Sequence, residues 1–186
     1  KNILTAAGLI LGLGLGINGA NACTGITLKP KDNSLIVART IEWGGSEMTN
    51  LYTVIPHGYT QRSFVPGGKK DGLEFTATYG YIGLAVEEPE YVVEGMNEAG
   101  LVAELFYFPG YGQYVEYDSA YADRTVSDFQ LVSWMLSNFS DIDQIQDAID
   151  DIRAVGIDPR SSTVHWRITD STGRQVVLEI VDGVPH

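Results

Sequence analysis

CTGITLKPKDNSLIVARTIEW, residues 23–43, alternates apolar and polar side chains on either side of a turn-forming stretch. Gly25-Ile26-Thr27-Leu28 and Ser34-Leu35-Ile36-Val37-Ala38 read as two strands. Lys29-Pro30-Lys31-Asp32-Asn33 reads as the turn between them, because Pro, Asp and Asn favour chain reversal. The stretch predicts a β-hairpin that opens the fold at Cys23. Arg39 ends the second strand and Glu42 follows three residues on, so the hairpin can set Arg39 beside the thiol.

Upstream, Ile3 to Ile17 is an apolar run behind Lys1, followed by Gly19, Ala20, Asn21 and Ala22. Small residues at Ala20 and Ala22, the two positions a signal peptidase reads, predict a signal peptide over residues 1–22 and cleavage after Ala22. The run is about fifteen residues long, short of the roughly twenty a membrane-spanning helix needs, and its glycines weaken it further. No permanent membrane anchor is therefore expected, and the protein is expected to be exported to the bacterial periplasm or beyond the cell. Lipoprotein signals also end at a cysteine, which is then lipidated, but they usually carry Leu three residues earlier, where this chain has Ala20.

The remainder, residues 23–186, is long enough for one domain with a substantial core, and no repeat, linker or low-complexity segment divides it. A net charge of −12, with no basic run, argues against a nucleic-acid surface, which needs clustered Lys and Arg. Cys23 is the only cysteine, so no internal disulfide staples the fold.

Strand-like runs follow at 50–55, 73–87, 91–94 and 101–107, bordered by Gly, Pro or Asn. From Thr125 to Phe139, Val126, Phe129, Leu131, Val132, Met135 and Leu136 fall at helical spacing, with Thr125 placed as cap. Ser140 and Asp143 repeat that signature before Ile142, Ile145, Ile149 and Ile152. Strands resume at 163–168 and 175–181, separated by an Asp170-Ser171-Thr172-Gly173 turn, and Asp182-Gly183 signals one more hairpin turn. Strands, two helices and strands together predict an α+β layered sandwich. Because only three residues follow that last turn, the sequence is expected to be the N-terminal part of a longer domain.

A cysteine made N-terminal by cleavage has its own α-amine beside its thiol, with an ordinary pKa of about 7.7–8.0. That amine can accept the thiol proton without a histidine, leaving a thiolate to attack a carbonyl and form an acyl-enzyme. A guanidinium at Arg39 favours thiolate, and Glu42 can bond the amine or hold Arg39. The alternatives are a buried structural cysteine and a surface Arg–Glu pair of little energetic value.

Four segments carry a resemblance to a known family: Cys23-Thr24-Gly25-Ile26-Thr27-Leu28, Ala38-Arg39-Thr40-Ile41-Glu42-Trp43, Gly95-Met96-Asn97-Glu98-Ala99-Gly100-Leu101 and Tyr107-Phe108-Pro109-Gly110-Tyr111. In this order and spacing they resemble the choloylglycine hydrolase family, which includes penicillin V acylases and conjugated bile salt hydrolases. The resemblance runs from Cys23 to about Gly183. It implies an N-terminal-nucleophile (Ntn) hydrolase with a four-layer αββα fold, of which this is the N-terminal half, cleaving a small-molecule linear amide without metal or cofactor. It implies Cys23 as nucleophile, with Arg39 beside it and Glu42 where many members have Asp. Tyr107 falls where penicillin V acylases commonly have Tyr and bile salt hydrolases Asn, at a position whose backbone N–H helps form the oxyanion hole. This tilts the expected substrate toward penicillin V or an acyl-homoserine lactone.

The family's further oxyanion Asn and second active-site Arg fall beyond His186, so the polypeptide as given is expected to be inactive. Related enzymes are often tetramers, which makes a homo-oligomer the expectation for the full-length form. Asn97 belongs to the pattern either as an oxyanion or substrate contact or, on the blander reading, as a residue shaping the turn between two strands. The aromatic run Phe106, Tyr107, Phe108, Tyr111, Tyr114 and Tyr117 can line an acyl pocket or simply fill the core.

His165 is spaced from Cys23 as a papain-like base is from its nucleophile, but the papain signature around the cysteine is missing and an alternating strand surrounds His165. His57 and His186 lie in a loop and at the terminus, and no metal-ligand spacing is present. The non-enzymatic alternative is an exported binding protein or a lipoprotein anchored through Cys23.

Overall fold

The computed structural model describes residues 23–32, 34–42, 47–158 and 163–186. The predicted signal peptide, Trp43 and the start of the loop after it lie outside the described residues. The strands are β1 (Gly25–Leu28), β2 (Ile36–Arg39), β3 (Asn50–Ile55), β4 (Thr60–Arg62), β5 (Glu74–Thr76), β6 (Tyr81–Val86) and β7 (Val92–Asn97). They continue as β8 (Val102–Tyr107), β9 (Thr125–Ser127), β10 (Arg153–Val155), β11 (Val164–Thr169), β12 (Gln175–Leu178), β13 (Ile180–Val181) and β14 (Val184–Pro185). The helices are α1 (Leu131–Asn138) and α2 (Ile142–Ala148).

A six-stranded sheet in the order β12-β11-β8-β7-β6-β3, antiparallel throughout, forms the frame. One face carries α1 and α2, whose Leu131, Met135, Leu136 and Ile142 are buried with Leu101, Trp166 and Ile168 of the sheet side. α1 is buried nearly all round, Ser133 and Ser137 included, with only Asn138 at its end left partly exposed. On the opposite face lies the β1–β2 hairpin, so the chain is α+β, with a helix layer, a sheet and a further β layer. Beyond the hairpin this second face is open: Val54, Ile82 and Met96 stand opposite one another across β3, β6 and β7 at 72, 55 and 51% exposure.

The hairpin predicted at 23–38 forms with Gly25 opposite Arg39 and Leu28 opposite Ile36. The run 73–87 is two strands rather than one, because the N–H groups of Thr78 and Tyr79 both turn to donate to Ser137 O at the end of α1. The helix expected from Thr125 begins only at Leu131. Thr125–Ser127 pair in parallel with Arg153–Val155 instead, and their backbone is taken by distant partners, with Leu73 N donating to Thr125 O and Ser127 N to Ser63 Oγ. The second helix is capped one residue later than expected, by Asp141. Its carboxylate accepts from Gln144 N (3.0 Å), while the Gln144 side chain accepts from Ser140 N (3.1 Å), the residue before the cap, so side chains satisfy backbone donors on both sides of the helix start. Asp182-Gly183 does make the last hairpin turn, both residues adopting positive φ.

Asp128, in the single 3₁₀ turn before α1, is 1% exposed and accepts from Phe129 N and Ile157 N at 3.0 and 3.2 Å. Burial pushes its carboxyl up to about 7, outweighing both hydrogen bonds. Between its unfolded value near 3.8 and about 7, the folded chain holds a proton that the unfolded chain has released. Stability from this group is therefore complete below that window and lost as pH rises through it. Urea denaturation at pH 4.5 and 7.5 should show Asp128→Asn gaining on the wild type by a few kcal/mol at the higher pH. A wild-type-to-variant difference that does not change with pH would refute the assignment.

Candidate active site around Cys23

Thr40 N donates to Thr24 O (2.8 Å), extending the hairpin register one step toward Cys23. Thr24 N donates to Thr40 Oγ1 (3.1 Å), and that hydroxyl donates to Glu42 Oε1 (3.2 Å). A hydroxyl thus relays between the backbone next to Cys23 and the Glu42 carboxylate. The half-buried Cys23 thiol lies 4.0 Å from Glu42 O. The pairing sets Glu42 O beside the Cys23 thiol and Arg39 opposite Gly25, two residues on from Cys23, with the Glu42 carboxylate reaching the relay rather than Arg39.

Arg39 is far from a surface residue, since its side chain is 2% exposed. Its Cζ lies 4.5 Å from the centroid of the Phe106 ring, its Nε donates to Thr40 O (3.2 Å) and its Nη1 to Val93 O (3.3 Å). Glu94 Oε2 lies 3.9 Å from Arg39 Nε. Burial holds the Glu94 carboxyl above its usual range; Arg39 pulls it down and Glu104 adds to the rise. A desolvated guanidinium stacked on a ring and fixed by two carbonyls is rigid, which an exposed Arg–Glu pair is not. Because side chains alternate along a strand, Cys23 shares the face of Gly25, the direct partner of Arg39. Beside the hairpin, a cleft of about 660 Å³ runs between β2 and the sheet, lined in part by Ile36, Ala38, Tyr52, Leu84, Glu94 and Met96.

Asn97 is placed elsewhere. Its Nδ2 donates to Leu136 O (2.9 Å) and Phe139 O (2.7 Å), and its Oδ1 accepts from Ala99 N and Leu101 N at 3.1 and 3.0 Å. The side chain closes the end of α1 and the β7–β8 turn on the helix face of the sheet, and every bond it can make is used there. This corrects the oxyanion or substrate reading of Asn97. Tyr107 ends β8, partly exposed, next in sequence to the Phe106 ring that carries Arg39.

The aromatic run does not form one wall. Tyr114 donates to Val164 O and packs beside Trp166 in the interior, whereas Phe108 stacks on Tyr111 (5.4 Å) and on His165 (4.6 Å). His165 is engaged by that stack and by Glu179, 3.4 Å from its Nδ1. Among the described residues, no group of three or more His, Cys, Asp or Glu is arranged to hold a metal ion. No described helix is long and apolar enough to cross a membrane.

Sequence reasoning missed Thr40 and Glu94 as members of the site. Thr40 lies inside the quoted 38–43 motif, one residue from Arg39, and a hydroxyl between Arg and a carboxylate was the available signal. Glu94 had none, because only the sheet register brings β7 under β2.

A family model described as linear amide C–N hydrolases, choloylglycine hydrolase family, matches residues 23–183. The chain is 28% identical over 163 residues to a bile salt hydrolase/transferase of Clostridium perfringens, covering 84% of this chain and 47% of that protein. It is 24% identical to a penicillin V acylase of Pectobacterium atrosepticum, covering 98% of this chain and 50% of the other. The solved penicillin V acylase of Agrobacterium tumefaciens superposes with a TM-score of 0.72 at 20% identity, over 87% of this chain and 48% of that one. The chain thus spans about half the length of the curated relatives it matches.

Proposed function

The chain belongs to the choloylglycine hydrolase family of linear amide C–N hydrolases, and on that premise we propose that the full-length protein is exported, cut between Ala22 and Cys23, and hydrolyses a small-molecule amide through an acyl-enzyme on Cys23. The observation that carries this reading is the coincidence of two boundaries. The family match begins at Cys23, the residue that follows the predicted cleavage site and leads into the strand paired with Arg39.

In this reaction the freed α-amine takes the thiol proton, and the sulfur attacks the amide carbon. The C–N bond breaks as the amine returns the proton to the leaving nitrogen, and water then cleaves the thioester. Arg39 supplies fixed positive charge beside the reacting sulfur, and the Thr40–Glu42 relay orients the backbone that carries it. The backbone N–H at Tyr107 contributes to the oxyanion site. Tyr107 favours penicillin V or an acyl-homoserine lactone over conjugated bile salts.

Intact-mass analysis and N-terminal sequencing of the secreted protein should find Cys23 first, with an unmodified amine. A panel of penicillin V, acyl-homoserine lactones and glycine- or taurine-conjugated bile acids should give turnover on the first two classes. A chain starting at any other residue, or one capped by lipid, would overturn the proposal.

A further inference from the structure

Opposite Arg39, on the sheet beneath the hairpin, lies a second, partly buried guanidinium that the proposed reaction does not use. Arg167 of β11 stands directly across from Glu104 of β8, with Nε and Nη2 both 2.6 Å from Glu104 Oε2. Glu104 is 2% exposed, so this carboxylate has left water and depends on its partner. The same Arg167 Nη2 lies 3.4 Å from Ile26 O of β1 and 3.4 Å from Ala38 O of β2. Those two residues face each other across the hairpin, so one nitrogen bridges both of its strands.

The fit above this guanidinium is close. A Cβ on Gly25 would stand 2.8 Å from Arg167 Cζ, Arg167 Nη1 and Phe106 Cζ, so the strand can lie this near only because residue 25 has no side chain. Phe106 lies under both cations, its centroid 4.5 Å from Arg39 Cζ and 5.7 Å from Arg167 Cζ. Each guanidinium has its own carboxylate, and Glu94 faces Glu104 across β7 and β8. Besides Arg167, the hairpin is tied to the sheet by its own Arg39, through Phe106 and Val93 O, and by Gln175 Nε2 to Thr27 Oγ1 (2.7 Å), while its Ile26, Leu28 and Ile36 are about half exposed.

We propose that Arg167, held by Glu104, is a positioning residue that clamps the β1–β2 hairpin onto Phe106 and thereby sets the placement of Cys23 and Arg39 for the reaction. Ile26 lies three residues after Cys23, and Ala38 immediately precedes Arg39. A hairpin that tilts therefore displaces nucleophile and guanidinium together, and a misplacement of about 1 Å costs about a hundredfold in rate. The inference rests on the acyl-enzyme reading for its catalytic consequence but not for the clamp itself.

The test uses the processed full-length protein with an amide that the wild type hydrolyses. Arg167→Met should lower kcat about tenfold to a hundredfold with KM within about twofold, and Arg167→Lys should recover part of that loss. Arg167→Met alone strands the Glu104 charge and should lower thermal stability. The double variant Glu104→Leu/Arg167→Met removes both charges and should restore stability while kcat stays low. A double variant whose kcat recovers with its stability would show a purely structural pair and overturn the proposal, as would wild-type kcat in Arg167→Met. Hydrogen exchange at β1 and β2 reads the clamp without substrate and should quicken at least about tenfold in Arg167→Met; unchanged exchange also overturns it. A wild type without amide turnover sinks the catalytic reading alone, and the clamp is then decided by exchange.

Discussion

Cys23→Ser in the processed protein is expected to lower amide turnover at least about a thousandfold while leaving the fold intact, measured as kcat on any amide accepted by the wild type together with thermal unfolding. A free thiol ionises near pH 8.5, close enough to an α-amine at about 7.7–8.0 for the proton to pass between them. A serine hydroxyl is far less acidic, so the same amine cannot ready it for attack. Structurally the exchange is mild, because the thiol is half-buried and its contact with Glu42 O is long, at 4.0 Å. Turnover within tenfold of wild type would remove the sulfur from the reaction.

Arg39→Met is expected to cost about a hundredfold in kcat, comparable to losing one preorganised electrostatic donor. Methionine preserves much of the apolar packing on Phe106 but abandons two carbonyls, Thr40 O and Val93 O, that the guanidinium now serves. It also leaves Glu94 without its cation. With burial unopposed, the Glu94 carboxyl should rise further above its usual range, and the variant should lose more stability than the wild type as pH increases through that raised value. Stopped-time turnover assays and urea denaturation across pH 4–8 measure the two effects. Wild-type kcat in Arg39→Met would place the guanidinium outside the site.

Local pattern was a good guide wherever partners lie close in the chain. The 23–39 hairpin, the Asp182-Gly183 turn and the strand at 50–55 form as their alternation and turn residues indicate. It misled where distant groups compete for the same backbone. Thr125–Ser127 carry a helical spacing of apolar residues, yet Ser63, Leu73 and the 153–155 strand claim their backbone, and hydrogen bonds to those partners outweigh a first turn of helix. Asn97 shows the same limit at the site. Its place in the 95–101 motif marks it as special without telling which side of the sheet it faces, and strand alternation turns it toward α1 while Glu94 meets Arg39.

The sequence by itself determined the α+β layering, the hairpin that leads away from Cys23, and the place of Arg39 at the end of its second strand with Glu42 three residues on, because each follows from periodicity, turn chemistry or a spacing of under twenty residues. Only the tertiary structure decided what lies beneath that hairpin: Phe106 under two guanidiniums, Glu94 beside Arg39, and Glu104 holding Arg167. These partners come from β7, β8 and β11, separated from the hairpin by 54 to 141 residues of chain. No local propensity encodes such a meeting; it arises from sheet register and from the need to pair charges once burial has stripped them of water.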